Sequence, residues 1–492
     1  MTLTFRDADR SGGRTRPPHD PVLPTARTAR PGAMAFLGML AFAAFTVWGM
    51  AHVVGAVGGF HEPRASLAMV WLASFLLLWW APFAWLERPV HATADEQVAL
   101  DSLTVTVQVP VYNEDPLVLR ACLDSVLAQS RAVDRVRVVD DGSVDADGEP
   151  VDYGGIRDAF LARAAGLGVE ATWDRTANRG KRFAQMHVLA EDDADVFVTL
   201  DSDSVLDRHA VREGLAPFAD PRVQSVAGHV LVLNRDANLL TRLTCVLYLP
   251  FTRGLRSAQS VLRRVTINSG TLAFYRAQTV RESAGAYENE HFWGRPMQMN
   301  DDSMLTFYAL LKGDTVHQPS AIVFTLVPER PRHYFGQQLR WMRGTTVRHL
   351  WWLRYMPLRG VVFWGTVTEY LHMFVAYAVP LLVLCDEGLR EQWRSIAVAA
   401  LVIGLAINYI MALRLFTVRR SDESAGYLLL LYLVSPAAAV WRLLVLRPLY
   451  LYAMLTCRRI TRWGTREGVE VAMAGGSPQA EPGAAARSAS PG

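Results

Sequence analysis

Apolar positions along this chain follow two rules. Near both ends they form long unbroken runs: AMAFLGMLAFAAFTVWGMAHVVGAVGGF over 33–60, ASLAMVWLASFLLLWWAPFAWL over 65–86, VVFWGTVTEYLHMFVAYAVPLLVLC over 361–385 and SIAVAALVIGLAINYIMALRLF over 395–416. Each is of about the length that crosses a bilayer, roughly 20 residues or more. A last apolar stretch, 425–456, is interrupted by Arg442, Arg447 and Pro448, long for one span and short for two, so its path stays open. Between 104 and 205 the rule changes. Short β-rich runs (TVTVQVPV at 104–111, VRVVDD at 136–141, VEATW at 169–173, DVFVTLD at 195–201) alternate with helical spacing at 116–129, 156–168 and 181–192. Strands separated by helices of this length predict an α/β, Rossmann-like, mostly parallel sheet with right-handed crossovers.

In such sheets ligands bind beyond the carboxyl ends of the strands, and those ends carry acids. YNED follows the first strand and brings Tyr112, Glu114 and Asp115. DDGS follows the second with Asp140 and Asp141, and DSDS follows the last with Asp201 and Asp203. Any one such end serves equally well as a helix cap; three together point at one crevice. Two like charges one residue apart, as in DSDS, repel unless something positive sits with them. A hard cation such as Mg²⁺ or Mn²⁺ on Asp203, with Asp201, meets that need, because Mg²⁺ commonly takes one or two carboxylates and completes its shell with phosphates and water. Lys181 and Arg182, opening the next helix, bring further positive charge. Metal, acids and two bases describe a nucleoside diphosphate site, and the absence of GxxxxGKS and GxGxxG excludes a P-loop or dinucleotide fingerprint.

Charge refines the picture at the ends. Arg6, Arg10, Arg14, Arg16, Arg27 and Arg30 precede the first apolar run, so the positive-inside rule places that end in the cytoplasm. Two crossings then return the chain to the cytoplasm near residue 87. A net charge of +3, with no basic block, gives no reason to expect a nucleic acid partner. Cys122, Cys245, Cys385 and Cys457 are scattered without disulfide or metal spacing, and His229, His291 and His333 read as structural or surface residues. The small-residue, Pro-rich carboxyl end reads as disordered.

VPVYNED, VVDDGS, NRGKR and TLDSDS, in this order, resemble the family 2 glycosyltransferases with the GT-A fold. NSGTLAFYR (268–276), NDDSML (300–305) and QQLRW (337–341) resemble the acceptor-side, catalytic-acid and QxxRW motifs of the processive, membrane-embedded members. The carboxyl segment 447–467, with WGTR at 463–466, is similar to that of hyaluronan synthases and chitin-oligosaccharide synthases, relatives of the cellulose synthases. Those enzymes usually read GDD and SGP where this chain reads NDD and SGT, which leaves the identity of the polymer open.

The resemblance implies an inverting transferase that polymerises sugars from UDP-sugar donors, with Mg²⁺ or Mn²⁺ as cofactor and a growing polysaccharide as acceptor. It makes Asp302 the base, with Asp301 beside it. Nucleotide-sugar binding falls to Tyr112, Glu114, Asp140, Asp141, Lys181, Arg182, Asp201, Asp203, Gln337 and Arg340. Acceptor binding falls to Ser269, Gly270 and Trp341, and a gate to Trp463, Gly464, Thr465 and Arg466. Gln337, Arg340 and Trp341 stand at i, i+3 and i+4, one face of a helix, inside a segment whose basic and aromatic mixture also reads as a membrane-surface helix; 238–262 is a second amphipathic candidate. Glu369, His372 and Asn408 sit in apolar spans, where polar residues line a path or pair between helices.

The expected order is a basic tail (1–32), two transmembrane helices (33–86), a cytoplasmic GT-A domain (87–335), an interface helix (336–360), a membrane or channel region (361–457), a gating segment (458–467) and a disordered tail (468–492). That makes a multi-pass plasma-membrane protein in contact with the lipid bilayer, its active site cytoplasmic. Alternatives are a non-processive enzyme placing one sugar on a lipid carrier, and a transporter or scaffold that only binds nucleotide sugars.

Overall fold

The structure is a computed structural model; it describes residues 24–28, scattered positions between 33 and 52, residues 70–387 apart from 72, 146, 190, 191, 298 and 299, and residues 404–459 apart from 406. Eight strands form one sheet: β1 (Val105–Val111), β2 (Arg135–Asp140), β3 (Glu170–Arg175), β4 (Val196–Thr199), β5 (Ser204–Leu206), β6 (Val223–Val232), β7 (Ala273–Arg276) and β8 (Asp314–Thr325), in the order β3-β2-β1-β4-β7-β6-β8-β5. The pairs β3–β2, β2–β1, β1–β4 and β6–β8 are parallel; β4–β7, β7–β6 and β8–β5 are antiparallel. The sheet is therefore mostly parallel, as the alternation of strands and helices predicts, with antiparallel joins where β7 and β5 return.

β1 reads as a continuous β-rich run because both its faces are covered; every one of its residues is buried. Alternation sends Val138 to one core, with Val107, Val109, Val198 and Leu119, and Val139 to the other, with Phe197, Tyr275, Met304 and Leu305. Burial of these apolar side chains contributes on the order of 1.5–3 kcal/mol each. Helix α1 (Pro116–Leu127) starts where Asp115 accepts the Leu117 and Val118 amides at 2.8 and 3.3 Å, with Pro116 preset in the first turn. Helices α2 (Gly154–Gly166) and α3 (Lys181–Leu189) complete the crossovers.

The amphipathic segment near 238–262 forms α4 (Leu239–Leu249), which continues through a wider turn at Pro250–Leu255 into α5 (Arg256–Val261). Helix α6 (Asp301–Lys312) carries NDD at its start, and α7 (Pro331–Tyr355) carries QQLRW. Helix α8 (Val361–Cys385) follows. Helices α9 (Ala425–Trp441) and α10 (Arg447–Leu455) run as one through Arg442–Leu446.

The apolar segments depart from expectation in places. Most of the first run, much of 395–416 and all of WGTR lie outside the described residues. Within the second run, Ser74–Leu78 and Ala81–Leu86 are tight 3₁₀ turns rather than α-helix, and Pro82, which has no N–H to donate, opens the second of them. Among the described residues one helix, Ala425–Leu455, is long and apolar enough to cross a membrane. Its 31 residues extend about 46 Å at 1.5 Å per residue, yet both ends rest on the sheet unit. At its start Arg235 is ion-paired with Asp422 and Glu423; beyond its end Cys457 packs with Phe292, Met297 and Val347, and Arg343 donates to Thr456 at 3.0 Å. The strand Ala26–Thr28 pairs with Val418–Arg420 against the same unit, where the Ala26 amide donates to Asp207 at 3.1 Å. His372 bonds to Ser74 and Asn408 to Ser435 and Arg442, so these two polar residues pair between helices.

Candidate active site

Asp201, after β4, and Asp302, at the start of α6, meet around Gly270 in the loop before β7. Its amide donates to Asp302 Oδ2 at 2.8 Å. A β-carbon at 270 would collide with Lys181 Nζ and crowd Asp302 and Asp201. Lys181 Nζ lies 2.6 Å from Asp201 Oδ1 and 3.7 Å from Asp302 Oδ1. Burial works against the lysine's charge, but Asp201 and Asp302 outweigh it and hold the amine above its usual range. Three chain segments thus place two carboxylates and one ammonium around Gly270, where a side chain would have to displace the lysine amine.

Asp301 and Asp302 are neighbours with different surroundings. Asn300 enters α6 in the left-handed region (φ 64°), and the next two residues diverge. Asp301 is 2% exposed and takes Arg182 Nε at 3.2 Å. Burial raises its pKa, opposed by Arg182. Asp302 keeps a third of its side chain exposed while lying 3.7 Å from Lys181 Nζ. The structure gives Arg182 a different task from the expected nucleotide contact: it is buried over the Tyr287 ring, bonded to Asp301, to Tyr287 O and to Glu290 at 2.7 Å. Nothing in the spacing marks Glu290, 108 residues on, as its partner.

On the donor side, Asp141 accepts the Arg179 and Gly180 amides at 3.0 and 2.7 Å and so holds the loop that aims Lys181. Burial raises its pKa against those bonds. Gly142, at φ 72°, keeps this turn clear of the Asn178 backbone. Asp140 takes Arg175 at 2.7 Å and the Ser143 amide at 2.8 Å. Glu114 is buried and accepts Ser202 Oγ at 2.6 Å, tying the end of β1 to DSDS; Tyr112 is half-buried directly after β1.

Asp203 Oδ1 accepts Ser204 Oγ at 3.1 Å and Thr325 Oγ1 at 3.4 Å. Tyr248 of α4 lies within electrostatic reach of both Asp203 and Arg340, and its ring is 6.0 Å from Trp341. The QQLRW face therefore turns to the same region as DSDS. Gln337 Oε1 is buried there without a hydrogen-bond partner, and Trp341 is exposed. Ser269 Oγ accepts from Arg256 at 3.2 Å and from Thr271 at 3.0 Å. Tyr275, within NSGTLAFYR, reaches Asp302 O with its hydroxyl at 3.4 Å, while Arg256 and Glu290 are site-supporting residues that the sequence motifs do not announce.

Among the described residues no group of three or more His, Cys, Asp or Glu forms a metal cluster. Asp201 and Asp203 make a two-carboxylate set, which suits a Mg²⁺-like ion completed by phosphate oxygens and water.

Comparison with known proteins agrees with this geometry. The model for glycosyl transferase family 2 matches residues 106–283, and that for glycosyl transferase family group 2 matches 196–457. A hyaluronan synthase of Streptococcus pyogenes is 33% identical over 368 residues, 75% of this chain and 84% of its own. An N-acetylglucosaminyltransferase of Azorhizobium caulinodans is 30% identical over 366 residues, 74% of this chain and 87% of its own. Among solved structures, a mannosyltransferase of Pyrobaculum calidifontis in complex with GDP-Man and Mn²⁺ covers 83% of this chain and 99% of its own at 17% identity and a TM-score of 0.47. Family membership makes the chain a sugar-transferring enzyme and sets aside a transporter or scaffold that only binds. With its GT-A-like sheet and its acids gathered at the strand ends, the chain belongs to the family 2 glycosyltransferases and is similar to the hyaluronan synthases within it.

Proposed function

We propose that the chain is a processive, inverting polysaccharide synthase that takes UDP-sugars, makes a hyaluronan-like or other β-linked polymer, and passes it through its own membrane region. The observation that carries this reading is the meeting of Lys181, Asp201 and Asp302 at Gly270. In the proposed step an acceptor hydroxyl attacks the anomeric carbon of the donor. Its proton passes to Asp302, a new glycosidic bond forms, and the bond to the nucleoside diphosphate breaks. Gly270 N–H fixes one oxygen of Asp302, and Lys181 balances the charge of the carboxylates near the departing diphosphate. Asp203, with Asp201, would hold Mg²⁺ or Mn²⁺, which supplies charge stabilisation to that diphosphate. Tyr112, Glu114, Asp140 and Asp141 shape the donor side. Gln337 and Arg340 serve the diphosphate and Trp341 the acceptor, with Ser269 and Gly270.

The membrane part of the reading rests on the apolar segments and their contacts. Residues 33–86 and 361–417 supply crossings, the GT-A unit (87–335) and interface helix (336–360) stay cytoplasmic, and the Ala425–Leu455 helix lies along the membrane face, since both its ends rest on the sheet unit. Residues 458–467 then remain cytoplasmic, where WGTR (Trp463, Gly464, Thr465, Arg466) can serve as a gate, between basic and small-residue tails at 1–32 and 468–492. The protein sits in the plasma membrane.

Likeness to enzymes named hyaluronan synthase and N-acetylglucosaminyltransferase favours UDP-N-acetylglucosamine as one donor. The test is UDP release and product mass from membranes given UDP-N-acetylglucosamine and UDP-glucuronate, singly and together. Polymer is the expected product; a single sugar on a lipid carrier supports the non-processive alternative instead.

A further inference from the structure

We propose that Arg256, outside the motifs of the family, is a positioning residue that sets Asp302 through the loop Ser269–Leu272. The inference rests on the reading of Asp302 as the base. Arg256 opens α5, is 1% exposed, and uses its fork on two targets: NH1 donates to Gly228 O on β6 at 3.3 Å, and NH2 to Ser269 Oγ at 3.2 Å. The Gly228 amide in turn donates to Leu272 O at 2.9 Å, and a side chain at 228 would strike that of Leu272. The loop is therefore pinned at both ends to β6, and between the pins Gly270 N–H meets Asp302 Oδ2.

A buried guanidinium is costly unless its donors are all satisfied, and Nε of Arg256 has no partner. Burial lowers its pKa to about 10, opposed by Glu87, Asp302 and Tyr275. An apolar side chain would fill the same space at less cost to stability. What it would lack is a rigid pair of donors able to fix two backbone segments at once. A base displaced by even about 1 Å loses roughly 100-fold in rate, which is reason enough to keep the charge.

The test is a double-mutant cycle on the full-length enzyme in membranes, with UDP-N-acetylglucosamine and UDP-glucuronate as probes. Arg256→Met is expected to lower kcat about 10- to 100-fold while the donor KM stays within about twofold, and Arg256→Lys to recover part of the loss. Because Arg256 acts on the loop through Ser269, the double variant Arg256→Met/Ser269→Ala should lose less than the product of the two single losses. Multiplying losses, an Arg256→Met enzyme within about twofold of wild type, or a donor KM that rises as kcat falls would each overturn the proposal. If Arg256→Met fails to accumulate, the Arg256→Lys and Ser269→Ala cycle asks the same question. Asp302→Asn assayed alongside separates the two failures: an active variant refutes the base, whereas multiplying losses refute only the role of Arg256.

Discussion

Asn300 is docked on Gly344. Its backbone is left-handed, its Nδ2 donates to Gly344 O at 3.0 Å, and a side chain at 344 would overlap its Oδ1. This contact sits between NDD and the helix of QQLRW. It also explains why asparagine replaces glycine in the family's GDD: both tolerate positive φ, and asparagine adds a bond. Asn300→Gly should retain most activity, with a loss of about threefold or less. Asn300→Val, which resists this backbone, and Gly344→Ala, which evicts the amide, should each lower kcat by about 10-fold or more. Polymer formation by membranes carrying each variant checks this; an active Gly344→Ala enzyme would mean the docking is dispensable.

The two acids of NDD should separate by assay. Asp302→Asn should reduce transfer by about 10²–10⁴-fold, the usual worth of a general base, while UDP binding measured by calorimetry stays near wild type. Asp301→Asn, which leaves Arg182 with Glu290, should instead leave kcat nearer wild type and show mainly as a shift in melting temperature. Equal kinetic losses with unchanged stability in both variants would show that the division of labour is wrong.

How far the sequence carries this site depends on whether partners lie within a motif or across the fold. The parallel strands are legible because β1, β2 and β4 are rich in valine and separated by segments of helical spacing, although Thr106, Gln108 and Arg137 interrupt the apolar runs. The acids at their ends follow from topology alone. Arg182 pairs with Glu290 in a separate loop, and from sequence a basic residue beside Lys181 looks the same whether it faces phosphate or the core. Arg256 was missed because its surroundings read only as an amphipathic helix. Apolar length does not report where the ends of 425–455 are held; Arg235 holds the segment before its start and Cys457 packs beyond its end.

Metal dependence gives a third prediction. Chelation with EDTA should abolish UDP release, and Mn²⁺ or Mg²⁺ should restore it, if Asp203 and Asp201 hold the ion that offsets the charge of the diphosphate. Asp203→Asn should raise the metal concentration needed for half-maximal rate about 10-fold or more. Full activity in EDTA would remove the ion from the proposal and leave Lys181 and Arg340 to stabilise the leaving group.

Glu290 supplies the last prediction, and its sign follows from linkage. Burial pushes its pKa from 4.5 up to about 7, although Arg182 at 2.7 Å and the Tyr308 hydroxyl at 2.8 Å pull the other way. Arg182 is shared with Asp301, so one guanidinium faces two buried carboxylates and does not fully offset the desolvation of both. Between about pH 4.5 and 7 the folded protein therefore holds a proton that the unfolded chain has released. Stability contributed by this group then falls as pH rises through that window and is level above it. Glu290→Gln keeps the acceptor for Tyr308 and removes the titration. Melting curves of wild type and variant at pH 5, 6, 7 and 8 should converge at the acid end. At pH 8 the variant should be the more stable by a few degrees, about 2–4 °C for each kcal/mol recovered in a domain of this size. Parallel curves across the window would mean that Glu290 stays ionised with Arg182 throughout and that this pair, not a proton, balances the cluster.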